Sequence, residues 1–146
     1  DDFMINNDSN FFILHGEDDD CDIRIMKRIL KKIEYQGEYS NLLIGSDLLA
    51  WMDDITKPKL PDLLILDIGL PGTNGKEILA SLRQEDRTMG VPIIMMTGSN
   101  SKRDYHECIS LGANAYIQKN SDSKSLELIL KSYIEGFVYL SAQKFF

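Results

Sequence analysis

Short runs of consecutive apolar residues alternate along the chain with longer stretches in which apolar residues recur every three or four positions. Continuous apolar runs bounded by turn-forming residues are typical of strands buried on both faces of a parallel sheet. The three- and four-residue spacing is typical of amphipathic helices. On this basis the sequence predicts strands over residues 11–14, 41–44, 63–66, 93–96 and 115–118.

Helices are predicted between and after these strands. They cover residues 21–34, a segment that starts at Ser46 or Asp47 and includes Ile55, residues 74–84, residues 101–111, and a last segment that starts at Asp122 or Ser123. Five consecutive strand–helix units indicate an α/β fold with a doubly wound, five-stranded parallel sheet and helices on both faces. We expect residues 1–10 to form a flexible N-terminal arm and residues 11–146 a single domain.

Two of the predicted strands are followed by acidic residues. The third strand ends at Asp67, and the first is followed shortly by Glu17 and Asp18. Ligands of parallel α/β sheets bind at the carboxyl ends of the strands. Carboxylates that meet there repel one another unless a cation neutralises them, and hard oxygen ligands favour Mg²⁺ over zinc. The adjacent Asp19 and Asp20 have a simpler interpretation, because either can cap the next helix.

Composition excludes several other classes of function. A chain of 146 residues is long enough for one domain with its own core. The net charge of −7 argues against nucleic-acid binding as the main activity. No apolar run approaches the ~20 residues of a membrane span, so we expect no membrane insertion. Cys21 and Cys108 fit neither a metal-site spacing nor a disulfide framework, which favours a cytoplasmic location.

The two remaining strand ends add a hydroxyl group and an amine. Thr97 follows the fourth strand and Lys119 follows the fifth. Taken singly, Thr97 would be a strand-end hydrogen-bonding residue and Lys119 a solvated charge. Together with the acids they indicate phosphoryl chemistry, in which Asp67 is a nucleophile or metal ligand and the other two bind phosphoryl oxygens.

These segments together resemble the receiver domains of response regulators. The resemblance is to the single-domain kind, related to the chemotaxis regulators and to cyanobacterial phytochrome-partner regulators. It rests on motifs that occur in the family's order over about residues 11–140, namely residues 13–20, residues 61–75 with Leu70-Pro71-Gly72 after the acid, Met96-Thr97-Gly98, and residues 111–119. The resemblance implies a flavodoxin-like fold of five βα units. It also implies a signalling switch rather than an enzyme that acts on outside substrates.

The family's chemistry transfers to matching positions in this chain. By resemblance, Asp67 accepts a phosphoryl group from a sensor histidine kinase or a phosphotransfer protein. Asp18 and Asp67 ligate Mg²⁺ directly, Glu17 does so through water, and Gly69 does so through its backbone carbonyl. Lys119 then pairs with a phosphoryl oxygen.

The resemblance also implies how phosphorylation would be sensed. Thr97 hydrogen-bonds a phosphoryl oxygen, and Tyr116 occupies the aromatic switch position, where the ring turns inward as Thr97 moves. The surface of the fourth helix, fifth strand and fifth helix then signals to a downstream partner protein. The tail at residues 137–140 and 145–146 is apolar, so it either packs on the core or forms a homodimer interface.

Four positions depart from the family pattern. His15 and Gly16 replace two apolar residues. We expect His15 to be a hydrogen-bonded histidine at the strand end, and a role beside the metal is the alternative. Asn120 follows Lys119 at the position where the family has proline after a cis peptide bond. A cis bond before a residue other than proline would cost ~3 kcal/mol. A trans bond, with a different direction of the Lys119 side chain, is therefore an alternative. Gly69 has no side chain to shield an acyl phosphate, and we hypothesise faster hydrolysis.

Two further functions remain as alternatives. The first is a phosphorylation-independent interaction module, which the departures at His15, Gly16 and Asn120 favour. The second is a Mg²⁺-dependent phosphohydrolase with Asp67 as its nucleophile. Such enzymes usually carry a second acid two residues later for acid–base catalysis. That position is Gly69, which disfavours the hydrolase.

Overall fold

Strands and helices alternate throughout the part of the chain that the structure describes. The structure is a computed structural model in which residues 10–119 and 122–142 are described, without the side chain of residue 142. The elements are β1 Phe12–Gly16, α1 Asp20–Lys32, β2 Glu38–Leu42, α2 Gly45–Asp53, β3 Leu63–Leu66, α3 Gly75–Arg83, β4 Ile93–Thr97, α4 Lys102–Leu111, β5 Ala115–Gln118 and α5 Ser123–Ala142.

All five strands are parallel and pair in the order β2-β1-β3-β4-β5. Neighbouring side chains of β1 enter different cores, because successive residues of a strand point to opposite faces of the sheet. Ile13 packs with residues of α1 and α5, whereas Leu14 packs with residues of α2, α3 and α4. The predicted doubly wound sheet with helices on both faces is therefore confirmed.

Most helix ends have the expected caps. The Asp19 carboxylate accepts a hydrogen bond from the Asp22 amide at the start of α1, so one of the two predicted capping acids has that role. Asn74 and Glu77 form a reciprocal capping box at the start of α3. Gly112 ends α4 with φ of 108°, in the left-handed region that glycine adopts without strain.

The region around β2 and α2 differs from the sequence prediction. β2 covers Glu38–Leu42 rather than residues 41–44, and its side chains are exposed or half-buried because it lies at the sheet edge. α2 follows Ile44 without a side-chain cap, so neither Ser46 nor Asp47 is its N-cap. Ile55 lies beyond the end of α2 and is 81% exposed.

Close packing explains why α2 begins at Gly45. A Cβ atom on Gly45 would lie 1.7 Å from the Thr73 carbonyl oxygen, in the loop that follows β3. The amide of Gly45 donates a hydrogen bond to the Pro71 carbonyl at 2.8 Å. This contact ties the start of α2 to the loop that carries Gly69.

The chain ends lie largely outside the described residues. The predicted arm over residues 1–10 stays a prediction, since only Asn10 of it is described. Within the apolar tail, Val138 is fully buried, whereas Leu140 is 64% exposed. Residues 145–146 and Asn120 are also outside the described residues. The described residues therefore do not test whether the Lys119–Asn120 peptide bond is cis or trans. None of the described helices has the length and apolar character needed to cross a membrane.

Candidate functional site

Backbone hydrogen bonds continue the sheet for one residue beyond the strand ends and bring the predicted site residues to one edge. The Glu17 amide donates to the Leu42 carbonyl at 3.1 Å, and the Asp67 amide donates to the Gly16 carbonyl at 3.0 Å. The Lys119 amide donates to the Thr97 carbonyl at 2.7 Å. The acids, the hydroxyl group and the amine therefore lie side by side at the carboxyl edge of the sheet.

Three carboxylates converge at this edge and could hold a metal ion. One oxygen each of Glu17, Asp18 and Asp67 lies within 4.8 Å of the others. Glu17 is buried, Asp67 is half-buried and Asp18 is exposed, so the cluster is open to solvent on one side. Oxygen ligands with access to water are suited to Mg²⁺, which keeps several waters when it binds.

Lys119 lies among the carboxylates. Its Nζ is 2.6 Å from Glu17 Oε1, 2.9 Å from Asp22 Oδ2 and 3.4 Å from Asp67 Oδ2. The lysine side chain is only 12% exposed. A buried ammonium group with three acidic partners stays charged and is available to an additional anion at Asp67.

The pKa values reflect this crowding. Burial raises the pKa of Glu17 above its ordinary value; the charge of Asp67 adds to the effect, and Lys119 opposes it. Burial also disfavours the charged form of Lys119, but hydrogen bonds to Glu17 and Asp22 outweigh burial and raise its pKa. The site therefore contains a firmly charged cation surrounded by acids that repel one another.

Thr97 is nearly buried and is linked to α4 through the loop that follows it. Its Oγ1 accepts a hydrogen bond from the Ser99 amide at 3.1 Å. The Ser99 hydroxyl donates to Asp104 in the first turn of α4 at 2.5 Å, and Gln118 of β5 donates to the Ser99 carbonyl at 3.0 Å. A movement of Thr97 would thus act on both α4 and β5.

The protein-family comparison decides the assignment. The model that describes the response regulator receiver domain matches residues 13–131, which is most of the chain. This chain is a response regulator receiver domain. The residues that match include every strand of the sheet except the first residue of β1, and all four of the strand ends that carry the candidate site.

Individual relatives agree with this assignment. Response regulator Rcp1 of Synechocystis sp. is 28% identical over 128 residues, 86% of this chain and 86% of that protein. The phosphorylated cyanobacterial phytochrome response regulator RcpA superposes with a TM-score of 0.80 at 27% identity, covering 92% of this chain and 97% of that one. The Mn²⁺-bound form of Rcp1 gives 0.79 at 27% identity, with the same coverage.

Tyr116 of the receiver domain packs beside α4. Its ring makes an edge-to-face contact with Tyr105, with ring centroids 5.3 Å apart. Its hydroxyl group is buried, and burial raises its pKa. The ring therefore lies between β5 and α4, on the same side as the Ser99 link to Thr97.

The space beside Asp67 is left free at Gly69, and Gly98 leaves space free after β4. A Cβ atom on Gly69 would lie 3.7 Å from Asp67 Oδ2, an ordinary contact distance. Among the described residues, no atom outside the chain neighbours of Gly98 lies within 4 Å of the place that a Cβ there would occupy. Neither glycine carries a side chain that would fill these spaces.

Two polar residues that contact the site are absent from the sequence prediction. Asp22 pairs with Lys119, and the Asn41 amide donates to the carbonyls of both His15 and Glu17 at 2.9 and 3.1 Å. Asp22 could have been noticed as an acid in the first turn of a helix that begins at the site. Asn41 gave no signal, because its role depends on the pairing of β2 with β1.

Proposed function

We propose that this receiver domain is a phosphorylation-dependent switch with Asp67 as its phosphoacceptor. The observation that supports it best is that Asp67 belongs to the acid cluster of Glu17, Asp18 and Asp67 and also lies beside the Lys119 ammonium group. Its carboxylate lies 3.4 Å from the Lys119 ammonium and shares a group of three acidic oxygens with Glu17 and Asp18. A doubly charged metal ion and a lysine together would offset the charge that a phosphoryl group adds.

The transfer step is a displacement at phosphorus. An oxygen of the Asp67 carboxylate attacks the phosphorus of a phosphohistidine on a sensor kinase or phosphotransfer protein. The new P–O bond forms as the P–N bond breaks, and the histidine nitrogen keeps the electron pair. Bound Mg²⁺, held by Glu17, Asp18, Asp67 and the Gly69 carbonyl, would neutralise oxygens of the transferred group.

The chain's own residues then hold the product. Lys119 turns from the carboxylate to a phosphoryl oxygen with little movement, because its Nζ already lies beside Asp67. Thr97 donates its hydroxyl proton to another phosphoryl oxygen. To make this hydrogen bond, Thr97 moves toward the phosphoryl group. The Ser99 amide follows Thr97, and this alters the start of α4 and the packing of Tyr116.

The readout surface in this proposal is formed by α4, β5 and α5. A groove of about 610 Å³ lies between β5 and α5, lined by Tyr116, Gln118, Leu128, Ile129 and Tyr133 among others. Leu128 is 64% exposed. A downstream protein, or a second copy of the chain in a homodimer, would bind here and sense the change at Tyr116.

Phosphorylation with a small donor tests the proposal. The protein is incubated with acetyl phosphate and Mg²⁺, and its intact mass is followed over time. We expect the mass of one phosphoryl group to be added to the wild type and none to Asp67→Asn. Omission of Mg²⁺ should abolish the gain.

The mass measurement and a phosphatase assay together separate the alternatives. A wild-type protein whose mass stays unchanged would support the phosphorylation-independent interaction module. Steady release of phosphate from a generic phosphate ester would instead support the phosphohydrolase. The burial of His15 against Tyr39 weighs against the first alternative, because this departure is accommodated without disturbing the acid cluster.

A further inference from the structure

Asp22 is a partner of Lys119 that does not belong to the acid cluster. Its Oδ2 lies 2.9 Å from Lys119 Nζ, closer than the 3.4 Å to Asp67. Glu17, the other close partner, shares the group of oxygens that could hold a metal ion, and Asp22 is not part of that group. Among the described partners of Lys119, only Asp22 is thus free to keep its contact when the cluster binds a cation.

The number of donors on the ammonium gives this contact a geometric consequence. Lysine has three N–H donors on a flexible four-carbon side chain, so one ion pair does not fix its direction. Glu17 and Asp22 take the two shortest contacts, at 2.6 and 2.9 Å. With two donors held in this way, the ammonium nitrogen stays 3.4 Å from Asp67 Oδ2.

Asp22 itself is well placed to act as a fixed support. It lies in the first turn of α1, and its amide is held by the capping carboxylate of Asp19 at 3.0 Å. Its side chain is 21% exposed, so the pair with Lys119 is only partly screened by water. The position of its carboxylate is therefore set by the helix and not by the strand-end loops.

We propose that Asp22 is a positioning residue that keeps the Lys119 ammonium directed at Asp67 during phosphoryl transfer. This inference rests on the proposed function, since it concerns the same lysine. When the cluster acids turn to a metal ion, their hold on Lys119 weakens and Asp22 becomes its main partner. Without Asp22, the lysine would sample directions that do not reach the transferred group.

A pair of matched variants tests the inference. Asp22→Ala removes the partner, and Asp20→Ala removes the same charge from the same helical turn at an exposed position. With acetyl phosphate and saturating Mg²⁺, we expect Asp22→Ala to be phosphorylated about tenfold more slowly than Asp20→Ala. Asp22→Glu should recover part of the rate, and circular dichroism should show equal folding.

A double-mutant cycle with Lys119→Ala shows whether Asp22 acts through the lysine. In the Lys119→Ala background, the Asp22→Ala substitution should cause no further loss. An equal loss in both backgrounds would overturn the inference, because it would show a general structural effect. Titration of the same four proteins with beryllofluoride and Mg²⁺ repeats the cycle as a binding measurement if Lys119→Ala is phosphorylated too slowly.

The outcomes separate this inference from the function on which it rests. A wild-type protein that accepts no phosphoryl group would contradict the proposed function and the role of Asp22 with it. A wild type that is phosphorylated, with equal rates for Asp22→Ala and Asp20→Ala, would contradict the role of Asp22 alone.

Discussion

At the scale of single residues, His15 has an unusual environment next to the acid cluster. It is 1% exposed, and its Nδ1 lies 2.8 Å from the Tyr39 hydroxyl. Its Nε2 is buried and makes no hydrogen bond to the described residues. The expected hydrogen bonding of His15 is therefore found at Nδ1 and not at Nε2. Burial, with a smaller contribution from the charge of Lys119, lowers the pKa of His15 to about 3. A neutral histidine here adds no positive charge to compete with a cation.

The depressed pKa of His15 predicts a pH-dependent stability. Between the ordinary histidine pKa of 6.5 and about 3, the unfolded chain binds a proton at this residue that the folded chain does not. The free energy of unfolding therefore falls as the pH falls through this window, by up to about 1.4 kcal/mol per pH unit from this group. Urea unfolding between pH 7 and pH ~4.5 should show a shallower fall for His15→Gln than for the wild type.

The other histidine supplies the control for that measurement. His106 is exposed on α4, so His106→Gln should keep the wild-type slope. The carboxylates contribute equally to all three proteins, and the difference between slopes isolates His15. Equal slopes for His15→Gln and His106→Gln would contradict the burial of a neutral imidazole.

Gly69 leads to a second prediction at the residue scale. A Cβ atom there would lie 3.7 Å from Asp67 Oδ2, so a side chain at this position fits beside an acyl phosphate. Gly69→Asn should slow loss of the phosphoryl group about threefold or more, because the side chain hinders an attacking water. The decay is followed by intact mass after the phosphodonor is removed. Gly69→Ala adds only the Cβ and should have a smaller effect; an unchanged rate for Gly69→Asn would refute the shielding hypothesis.

The strand-end pattern explains which residues of the site the sequence can predict. Asp67 directly follows a run of apolar residues, and Glu17 and Lys119 come shortly after the apolar runs of their own strands. Parallel pairing must bring such positions to one edge. Asp22 follows no such rule. Its contact with Lys119 depends on the direction of α1, which side-chain packing over the whole sheet determines.

At the scale of elements, burial and close packing explain why the sequence predicts other bounds for β2 and α2 than the structure has. Buried strands such as β3 have continuous apolar sequences, whereas β2 lies at the edge and has the polar sequence Glu38–Leu42. The apolar pattern therefore predicts the strand at residues 41–44 instead. At α2, the usual capping residues Ser46 and Asp47 were good candidates, but the close approach of Gly45 to Thr73 sets the start of the helix earlier.

The link between β4 and α4 can be tested by removing one hydroxyl group. Ser99 Oγ donates to Asp104 and also accepts from the Ser101 amide, at the start of α4. Ser99→Ala should lower the opening free energy of the first turn of α4 by about 1 kcal/mol. Hydrogen exchange of residues 101–107 should become faster, with little change at β1 or β3. Ser110→Ala, at an exposed position of the same helix, should leave exchange unchanged.

A negative result would limit the switch proposal. If exchange in Ser99→Ala matched that of Ser110→Ala, then Ser99 would not anchor α4. The route from Thr97 to the surface would then have to run through Gln118 and β5 instead.

At the scale of the whole molecule, the chain has a net charge of −7, and three of its carboxylates lie together at one edge of the sheet. Folding brings these acids together, so their repulsion destabilises the folded state and a bound cation stabilises it. At a free Mg²⁺ concentration of a hundred times its Kd, the unfolding free energy should rise by about 2.7 kcal/mol. Asp18→Asn should lose most of this gain and be more stable than the wild type without Mg²⁺, because one source of repulsion is removed.

Asp20→Asn distinguishes a specific site from general screening. It removes one negative charge, as Asp18→Asn does, but Asp20 does not belong to the acid cluster. Thermal unfolding at increasing Mg²⁺, with ionic strength held constant by salt, should give Asp20→Asn the full wild-type gain. An equal loss in both variants would mean that Mg²⁺ acts by screening the whole surface. The geometry favours the specific effect, because the shared oxygens lie within 4.8 Å of one another, well inside the ~8 Å over which physiological salt screens charge.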